Sequence, residues 1–189
     1  MQKIFLMLVS SILISCAGLQ ANNSAATSDA AKASAKIITS DIDRNNAIYE
    51  VQVADGVSYQ DVIDSLKSLS EGMNFVNPAN FPIGDHIKLR GIDPQGIKEV
   101  HSFCNLSMGT EIMLDHPEFL VFAPCRIALY EKPDGKPDAS KKLKLFIGLA
   151  RPTVDLKSIK NPTERAVNSA QQLEDALISL VNKAAKGDI

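Results

Sequence analysis

Cysteine is the residue type in this sequence that is best suited to chemistry, and it occurs at Cys16, Cys104 and Cys125. Cys16 follows the segment Leu13–Ser15, which has the order of a bacterial lipobox: an aliphatic residue at −3, a small residue at −1 and cysteine at +1. A thiolate is the nucleophile that accepts diacylglycerol, and the small residue must fit the peptidase pocket beside it. The pattern therefore predicts cleavage before Cys16 and a lipid anchor on its sulfur.

The segment before this cysteine is typical of an export signal. Lys3 supplies a positive charge, and an apolar run of eleven residues follows at Ile4–Ile14. A membrane-spanning helix needs about 20 apolar residues, so this run is too short and instead fits a signal peptide at residues 1–15. The alternative is an ordinary secretory signal, cleaved after Ala17 or Ala21. Because Ala17 stands where retained lipoproteins carry aspartate, we expect an anchor in the outer membrane, facing the periplasm, if the cell has two membranes.

Cys104 and Cys125 remain after processing, and an even number of cysteines in an exported protein permits a disulfide. They enclose about 20 residues, so a bridge would stabilise the fold by roughly 3 kcal/mol through chain entropy. We favour a second interpretation, in which both are buried, unreactive thiols in apolar surroundings.

A third interpretation adds His101 to the thiols as a ligand of a soft metal or haem. Against it, His101 and Cys104 are three residues apart on a predicted strand and should face opposite sides. A disulfide has an obstacle of its own, because a helix between Cys104 and Cys125 permits parallel strands, which would hold the sulfurs too far apart to bond.

Few other residues indicate a ligand or a reaction. Arg126 follows Cys125 on a predicted strand and so points away from it; an interior arginine usually pairs with a carboxylate, and the alternative is contact with an anionic ligand. His86 and His116 fall in predicted loop or helix-end positions. The sequence has no Ser/His/Asp order, phosphate-binding loop or metal-spaced histidine pair. We therefore expect no metal and no cofactor, and we lean against an enzyme.

Composition argues against one class of partner. The chain has 189 residues with a formal net charge of −2, and 45% of the residues are hydrophobic. Removing residues 1–15 takes away one base and no acid, so the mature chain carries a net charge of −3. Nucleic-acid-binding proteins show a basic patch instead, so we expect no nucleic-acid partner. The length suits a single globular domain.

Periodicity places these candidates on an α+β framework. Residues 17–36 are mainly Ala, Ser and Asn and cannot bury enough apolar surface to fold, so we predict a lipidated tether at 16–36 and one domain at 37–189. The predicted elements are a strand at 48–53, a helix from Ser58 to about Gly72, an extended or looped segment at 74–82, a helical turn at 85–90, a strand at 97–104, a helix from Asn105 to about Asp115, strands at 119–131 and 143–149, and a final helix from Asn161.

Three of these predictions rest on particular patterns. Ser58 and Asp61 form a capping-box signature at a helix start. The nearly continuous apolar run Phe119–Glu131 predicts a strand that is buried on both faces or crosses the sheet centre. Asn161 and Pro162 are typical of a helix N-terminus. The apolar stripe predicted for that last helix comprises Ala166, Ala170, Leu173, Leu177, Leu180, Val181 and Ala184.

Two short signatures around the cysteines resemble a known family. The segments 103–106 (FCNL) and 124–127 (PCRI), separated by a short helix and followed by Tyr130-Glu131 and an Asp-Gly turn, resemble the bacterial domain of unknown function family 302. The resemblance covers about residues 48–185 and departs at Ala123, where the family pattern has a larger apolar residue. It implies a two-layer α+β domain with a curved, mostly antiparallel sheet and helices packed on one face. It implies no reaction, because the family has no established activity.

These features predict a membrane-anchored lipoprotein of the bacterial cell envelope, held to the membrane through Cys16. We expect its domain to be a non-enzymatic module that binds a small ligand or an envelope protein. The alternative is a thiol-dependent redox or metal- or haem-linked protein that works through Cys104 and Cys125. The sequence does not predict the ligand or the oligomeric state.

Overall fold

The computed structural model describes residues 46–133, 135 and 142–189. The signal segment, Cys16 and the tether therefore lie outside the described residues. The elements in chain order are β1 (Ile48–Gln52), α1 (Tyr59–Gly72), β2 (Val76–Phe81), α2 (Ile83–Leu89), β3 (Lys98–Cys104), α3 (Leu106–Met113), a 3₁₀ helix (Pro117–Phe122), β4 (Cys125–Pro133), β5 (Leu143–Ala150), α4 (Pro152–Leu156) and α5 (Glu164–Ala184).

The strands form one sheet in the order β1-β5-β4-β3-β2, and every neighbouring pair is antiparallel. The sheet is open and curved, and helices pack on it, as an α+β fold requires. This confirms the predicted fold class. It also shows that the parallel arrangement considered for the two cysteine strands is wrong, because β3 pairs antiparallel to β4 with Phe103 opposite Cys125.

Helix α1 begins where its sequence signature predicts. The Ser58 hydroxyl accepts a hydrogen bond from the Asp61 amide at 3.1 Å, and the Asp61 carboxylate accepts one from the Ser58 amide at 2.8 Å. Each side chain thus satisfies an amide that the first helical turn leaves without a backbone partner. The capping box is therefore confirmed.

Helix α5 supplies the centre of the core, and its predicted apolar stripe is confirmed. Every residue of that stripe is buried, from Ala166 to Ala184, and the helix packs against α1, α3, α4 and the sheet. Its start differs from the prediction. Thr163 is the N-cap and its hydroxyl accepts from the Ala166 amide at 3.2 Å, whereas Asn161 has a left-handed backbone with φ of 50°. Asparagine tolerates that conformation, so Asn161 turns the chain before the helix.

The strand predicted over 119–131 is wrong in its first part. Residues Pro117–Phe122 form a 3₁₀ helix, and the strand begins only at Cys125. An apolar run without a clear period does not distinguish a helix from a strand. The helix is visible in the packing, because Phe119 and Phe122, three residues apart, meet with ring centres 5.7 Å from each other, as the three-residue turn dictates. Within β4, buried Ile127 and Leu129 alternate with less buried residues, so the strand is not buried on both faces. It is the central strand of the sheet, which confirms the other alternative.

The segment predicted as extended or looped at 74–82 contains the edge strand β2. Its register against β3 shifts between Val76 and Ala79, next to Pro78. A proline cannot donate to the ladder, so edge strands and bulges are where strands accept it. No helix among the described residues is both long and apolar enough to cross a membrane.

Candidate functional site

Alternation along the strands divides the sheet into a helix-covered face and an open face. Ile127 and Leu129 of β4 point toward the helices and are completely buried, whereas Arg126 between Cys125 and Ile127 is exposed. Side chains on one face recur every second residue. Arg126 therefore belongs to the open face, together with Ser102 of β3, which lies directly opposite it.

Side chains of the sheet fill one half of the open face. The Tyr130 ring lies over Gly148, where a Cβ atom would come within 3.0 Å of the Tyr130 hydroxyl, and it stacks on Phe146 with ring centres 6.3 Å apart. The Lys132 ammonium lies 4.5 Å from the centre of the Phe146 ring and donates to the Glu50 carboxylate at 2.7 Å. This half of the face is therefore closed by its own side chains.

The other half of the open face contains an apolar groove of about 670 Å³. Its floor is formed by β2, β3 and β4, because Ala79, Ser102 and Arg126 are register partners in successive strands. Helix α2 forms one wall and contributes Ile83 and His86. The remaining lining residues are Pro78, Phe81, Val100, Ala123 and Pro124. We call this site the β2–β4 groove.

The groove has a strongly apolar lining that water reaches. Phe81 is 51% exposed and Ile83 is 44% exposed, although covering large apolar side chains stabilises a protein. Helix α2 packs on β3, with Gly84 facing the Lys98 backbone, where a Cβ atom would make ordinary van der Waals contact at 3.5 Å from the nitrogen and the oxygen. The groove is thus a formed concavity rather than an incidental surface.

Arg126 is the one strong positive charge that lines this groove. Its guanidinium makes no hydrogen bond or ion pair with any described residue, and it acts at longer range on Asp155. Burial raises the pKa of the Asp155 carboxyl, and the Arg126 charge opposes that rise. The expectation of an interior arginine paired with a carboxylate is therefore wrong, because Arg126 is exposed and no described carboxylate forms an ion pair with it. Its donors are available to an anion.

Cys104 and Cys125 lie on adjacent strands as free, half-buried thiols. Burial is the main cause that raises the pKa of Cys125 to about 12; the neighbouring Cys104 contributes to the rise, and Arg126 opposes it more weakly. Burial also raises the pKa of Cys104. A thiol is reactive as its thiolate, so this environment holds both sulfurs in the unreactive form. Neither sulfur lines the β2–β4 groove.

The three histidines have different positions. His86 is exposed and lines the groove. His116 is buried and accepts a hydrogen bond from the Thr163 amide at 3.0 Å, so it ties the 3₁₀ helix to the start of α5. His101 is buried on the helix-covered face, away from the groove. Among the described residues no three His, Cys, Asp or Glu side chains are grouped so that they could hold a metal ion.

Sequence reasoning identified Arg126 but missed the rest of the groove. Phe81 and Ile83 flank Pro82 in a segment with no clear period, and their exposure depends on how α2 folds back over the sheet. The small residue Ala123 was a usable signal. It lines the groove, at the position where the family pattern has a larger apolar residue.

The fold and the groove define a small two-layer α+β domain with an open sheet, an apolar concavity on the open face of that sheet and a basic side chain beside it. The chain belongs to the family described as domain of unknown function DUF302, whose family model matches residues 49–184. This agrees with the resemblance found in residues 103–106 and 124–127.

Two related proteins support this assignment without adding an activity. An uncharacterized protein of Aquifex aeolicus (strain VF5) is 33% identical over 81 residues, which are 43% of this chain and 50% of that protein. The chain thus spans about half the length of the curated relative that it matches. An uncharacterized conserved DUF302 protein from Bacillus stearothermophilus has a crystal structure that matches with a TM-score of 0.61 at 17% identity, over 73% of this chain and 98% of that one. At this identity the likeness shows the fold alone.

Proposed function

We propose that this protein is a non-enzymatic binding module whose β2–β4 groove takes an apolar molecule with an anionic end group, such as a fatty acid. The observation that carries the proposal is the position of Arg126, an exposed guanidinium without a described hydrogen-bond partner beside an apolar concavity. A planar guanidinium binds a carboxylate through two parallel hydrogen bonds. The groove and the arginine together match the two ends of an amphiphile.

The dimensions of the groove suit this ligand class. Its volume of about 670 Å³ is within the range of roughly 300–1,000 Å³ that small-molecule sites occupy. Each methylene group that leaves water for an apolar wall contributes about 0.8 kcal/mol, so a chain of several methylenes gives useful affinity. Phe81 and Ile83 would lose their exposure to water when the chain binds.

We further propose that the domain works from a membrane of the bacterial envelope, through a lipid on Cys16. The lipobox at Leu13–Cys16 and the short apolar run before it support this anchor. A domain tethered beside a bilayer is close to a large source of amphiphiles. The thiol-dependent alternative has less support, because burial raises the pKa values of Cys104 and Cys125.

The groove proposal is tested by isothermal titration calorimetry of the purified protein with dodecanoate and with dodecanol, which has the same chain but no charge. We expect dodecanoate to bind more tightly, and Arg126→Gln to weaken it by about tenfold to a hundredfold, as hydrogen bonds to charged groups are worth about 1.5–3 kcal/mol. The affinity for dodecanol should be the same in the Arg126→Gln protein as in the unmodified protein. Ala123→Leu should weaken both ligands by filling the groove.

Lys160→Gln is the matched control, because it removes an exposed positive charge that does not line the groove. Its dodecanoate affinity should equal that of the unmodified protein. If the Arg126→Gln protein bound dodecanoate as tightly as the unmodified protein, this would contradict the proposed role of the arginine. Unchanged binding of both ligands by the Ala123→Leu protein would show that they bind elsewhere.

A further inference from the structure

A second cavity lies on the helix-covered face of the sheet, between α1 and the strands β2 and β3. It has a volume of about 530 Å³, and its apolar walls include Leu66, Phe75 and Phe103. The buried His101 also lines it. His101 and Phe103 alternate along β3 with Val100 and Ser102 of the β2–β4 groove, so the two sites lie on opposite faces of the sheet.

His101 is held by a short chain of hydrogen bonds. The Tyr59 hydroxyl donates to Glu99 Oε2 at 2.8 Å, and His101 Nε2 lies 3.2 Å from the same oxygen. Burial raises the pKa of Tyr59 to about 12, and its hydrogen bond to Glu99 adds to the rise, so the hydroxyl keeps its proton. An ionised carboxylate only accepts hydrogen bonds. The tautomer of His101 that fits this contact carries its proton on Nε2, which leaves Nδ1 as an acceptor.

The second ring nitrogen of His101, Nδ1, is left without a partner by this arrangement. Nδ1 has no hydrogen-bond partner among the described residues. Among the described residues, Ser65 Oγ is the only fully buried side-chain nitrogen or oxygen without a partner. Nδ1 also has no partner, so it is not fully buried. Since Nε2 lies against Glu99, Nδ1 is the ring nitrogen that is left for a guest in the cavity that His101 lines.

The charges at this cavity balance. Lys67 and Glu71 of α1 contribute one positive and one negative side chain to the lining, so an ion gains no net attraction there. The apolar walls include two aromatic rings, Phe75 and Phe103, both nearly completely buried. Aromatic side chains favour an aromatic guest through offset or edge-to-face contacts.

We propose that this cavity binds a small neutral aromatic alcohol, with the ligand's hydroxyl donating to His101 Nδ1 and its ring packing against Phe75 and Phe103. Glu99 is a positioning residue, because its carboxylate keeps the imidazole proton on Nε2 and so keeps Nδ1 an acceptor. The site is independent of Arg126 and of the proposed function.

The test uses two probes with the same ring, phenol and anisole, in which a methyl ether replaces the hydroxyl donor. Titrations of the ¹⁵N-labelled protein are followed by NMR, including the ring nitrogens of His101. We expect the proton of His101 on Nε2 in the free protein and a shift at Nδ1 on phenol binding. Phenol should bind roughly tenfold more tightly than anisole, the value of one well-made hydrogen bond.

Two variants separate a ligand contact from a structural role. His101→Phe keeps an aromatic ring but removes the acceptor, so it should abolish the preference for phenol. In Glu99→Gln the side-chain amide can donate to Nε2, which moves the imidazole proton to Nδ1 and turns it into a donor. That variant should lose the preference for phenol and gain affinity for anisole, whose oxygen accepts.

Several results would overturn the proposal. These are a proton on Nδ1 in the free protein, equal affinities for phenol and anisole, no saturable phenol binding at millimolar concentration, or a preference for phenol that persists in His101→Phe. If His101→Phe does not fold, the comparison of the two probes on the unmodified and Glu99→Gln proteins decides. Arg126→Gln should leave phenol binding unchanged, so failure here is distinct from failure of the groove proposal.

Discussion

Individual side chains in this protein owe their chemistry to what covers them. Cys104 and Cys125 lie on adjacent strands, as the partners of a redox pair would, yet burial raises the pKa of Cys125 to about 12. Arg126 follows Cys125 directly but faces the open side of the sheet and is exposed. Neighbours in sequence thus have opposite properties, because a strand turns successive side chains to opposite faces.

The thiols should be slow to react in the folded protein. We expect iodoacetamide at neutral pH to modify neither Cys104 nor Cys125 appreciably under native conditions, because burial suppresses the thiolate of both. Both should react after unfolding without reductant. Mass spectrometry of the intact protein measures the modification. A mass lower by two hydrogens that reduction restores would contradict the free thiols, and fast native alkylation would contradict the raised pKa values.

At the scale of elements, α5 organises the fold through one buried stripe and a few polar ties. Glu174 on this helix is 2% exposed and accepts from Arg151 Nη2 at 2.7 Å and from the Thr153 amide at 3.1 Å. A buried ion pair is tolerated when further hydrogen bonds satisfy both charges. The contact fixes α4 against α5.

Substitution of Leu177 tests whether the apolar stripe of α5 supports the core. It is completely buried in α5, so Leu177→Ala should lower the free energy of unfolding by about 2–5 kcal/mol through lost burial and a residual cavity. Val167→Ala is the control on the same helix, since Val167 is 45% exposed, and it should change stability by less than about 0.5 kcal/mol. Denaturant unfolding measures both. Equal effects of the two substitutions would mean that the stripe does not support the core.

The junction of α3 and α5 should lose its electrostatic tie in acid. Hydrogen bonds from Arg165 and Thr163 lower the pKa of Asp115 from its ordinary 3.8 to about 2. A lowered folded-state pKa stabilises the protein above the ordinary value, and this contribution disappears as the pH falls through about 2. Asp115→Asn should therefore be less stable than the unmodified protein at neutral pH and equally stable near pH 2.

Denaturation at a series of pH values measures this difference, with the exposed Asp188→Asn as the control. The control should match the unmodified protein at every pH. A stability difference for Asp115→Asn that is independent of pH would contradict the role of the Asp115 charge.

At the scale of the whole molecule, the sheet separates two sites of different character. The β2–β4 groove on the open face is apolar and flanked by Arg126, whereas the cavity on the helix-covered face contains His101 and balanced charges. The two faces share β3, so Ser102 contributes to one site and His101 and Phe103 to the other. The two proposed sites therefore lie on opposite faces of the sheet, and each is tested by its own variants.

The proposed membrane anchor concerns the full chain and depends on one sulfur. Cys16→Ser should abolish lipidation and leave an uncleaved or unanchored protein, because a hydroxyl does not replace the thiolate nucleophile. Metabolic labelling with a radioactive fatty acid in a bacterial host measures the outcome. The Cys104→Ser protein, which keeps the lipobox, should be labelled like the unmodified chain. Label retained in the Cys16→Ser protein would contradict the anchor.

Short-range patterns in the sequence determined the elements whose signals are local. The capping box of Ser58 and Asp61 involves atoms three residues apart, and the stripe of α5 is a period carried by one helix, so both were predicted correctly. The same holds for the family, whose signatures are two runs of four residues. The 3₁₀ helix at Pro117–Phe122 was missed, because a continuous apolar run carries no period that distinguishes helix from strand.

The candidate sites were decided by the tertiary structure. Arg126 was singled out from the sequence, but its exposure depends on how the helices are distributed over the two faces of the sheet. The β2–β4 groove joins Phe81, Ile83 and Ala123, which are brought together only by the pairing of three strands and the return of α2. Likewise Tyr59 reaches Glu99 across 40 residues. Contacts between distant residues depend on the packing of the whole chain, which local periodicity does not encode.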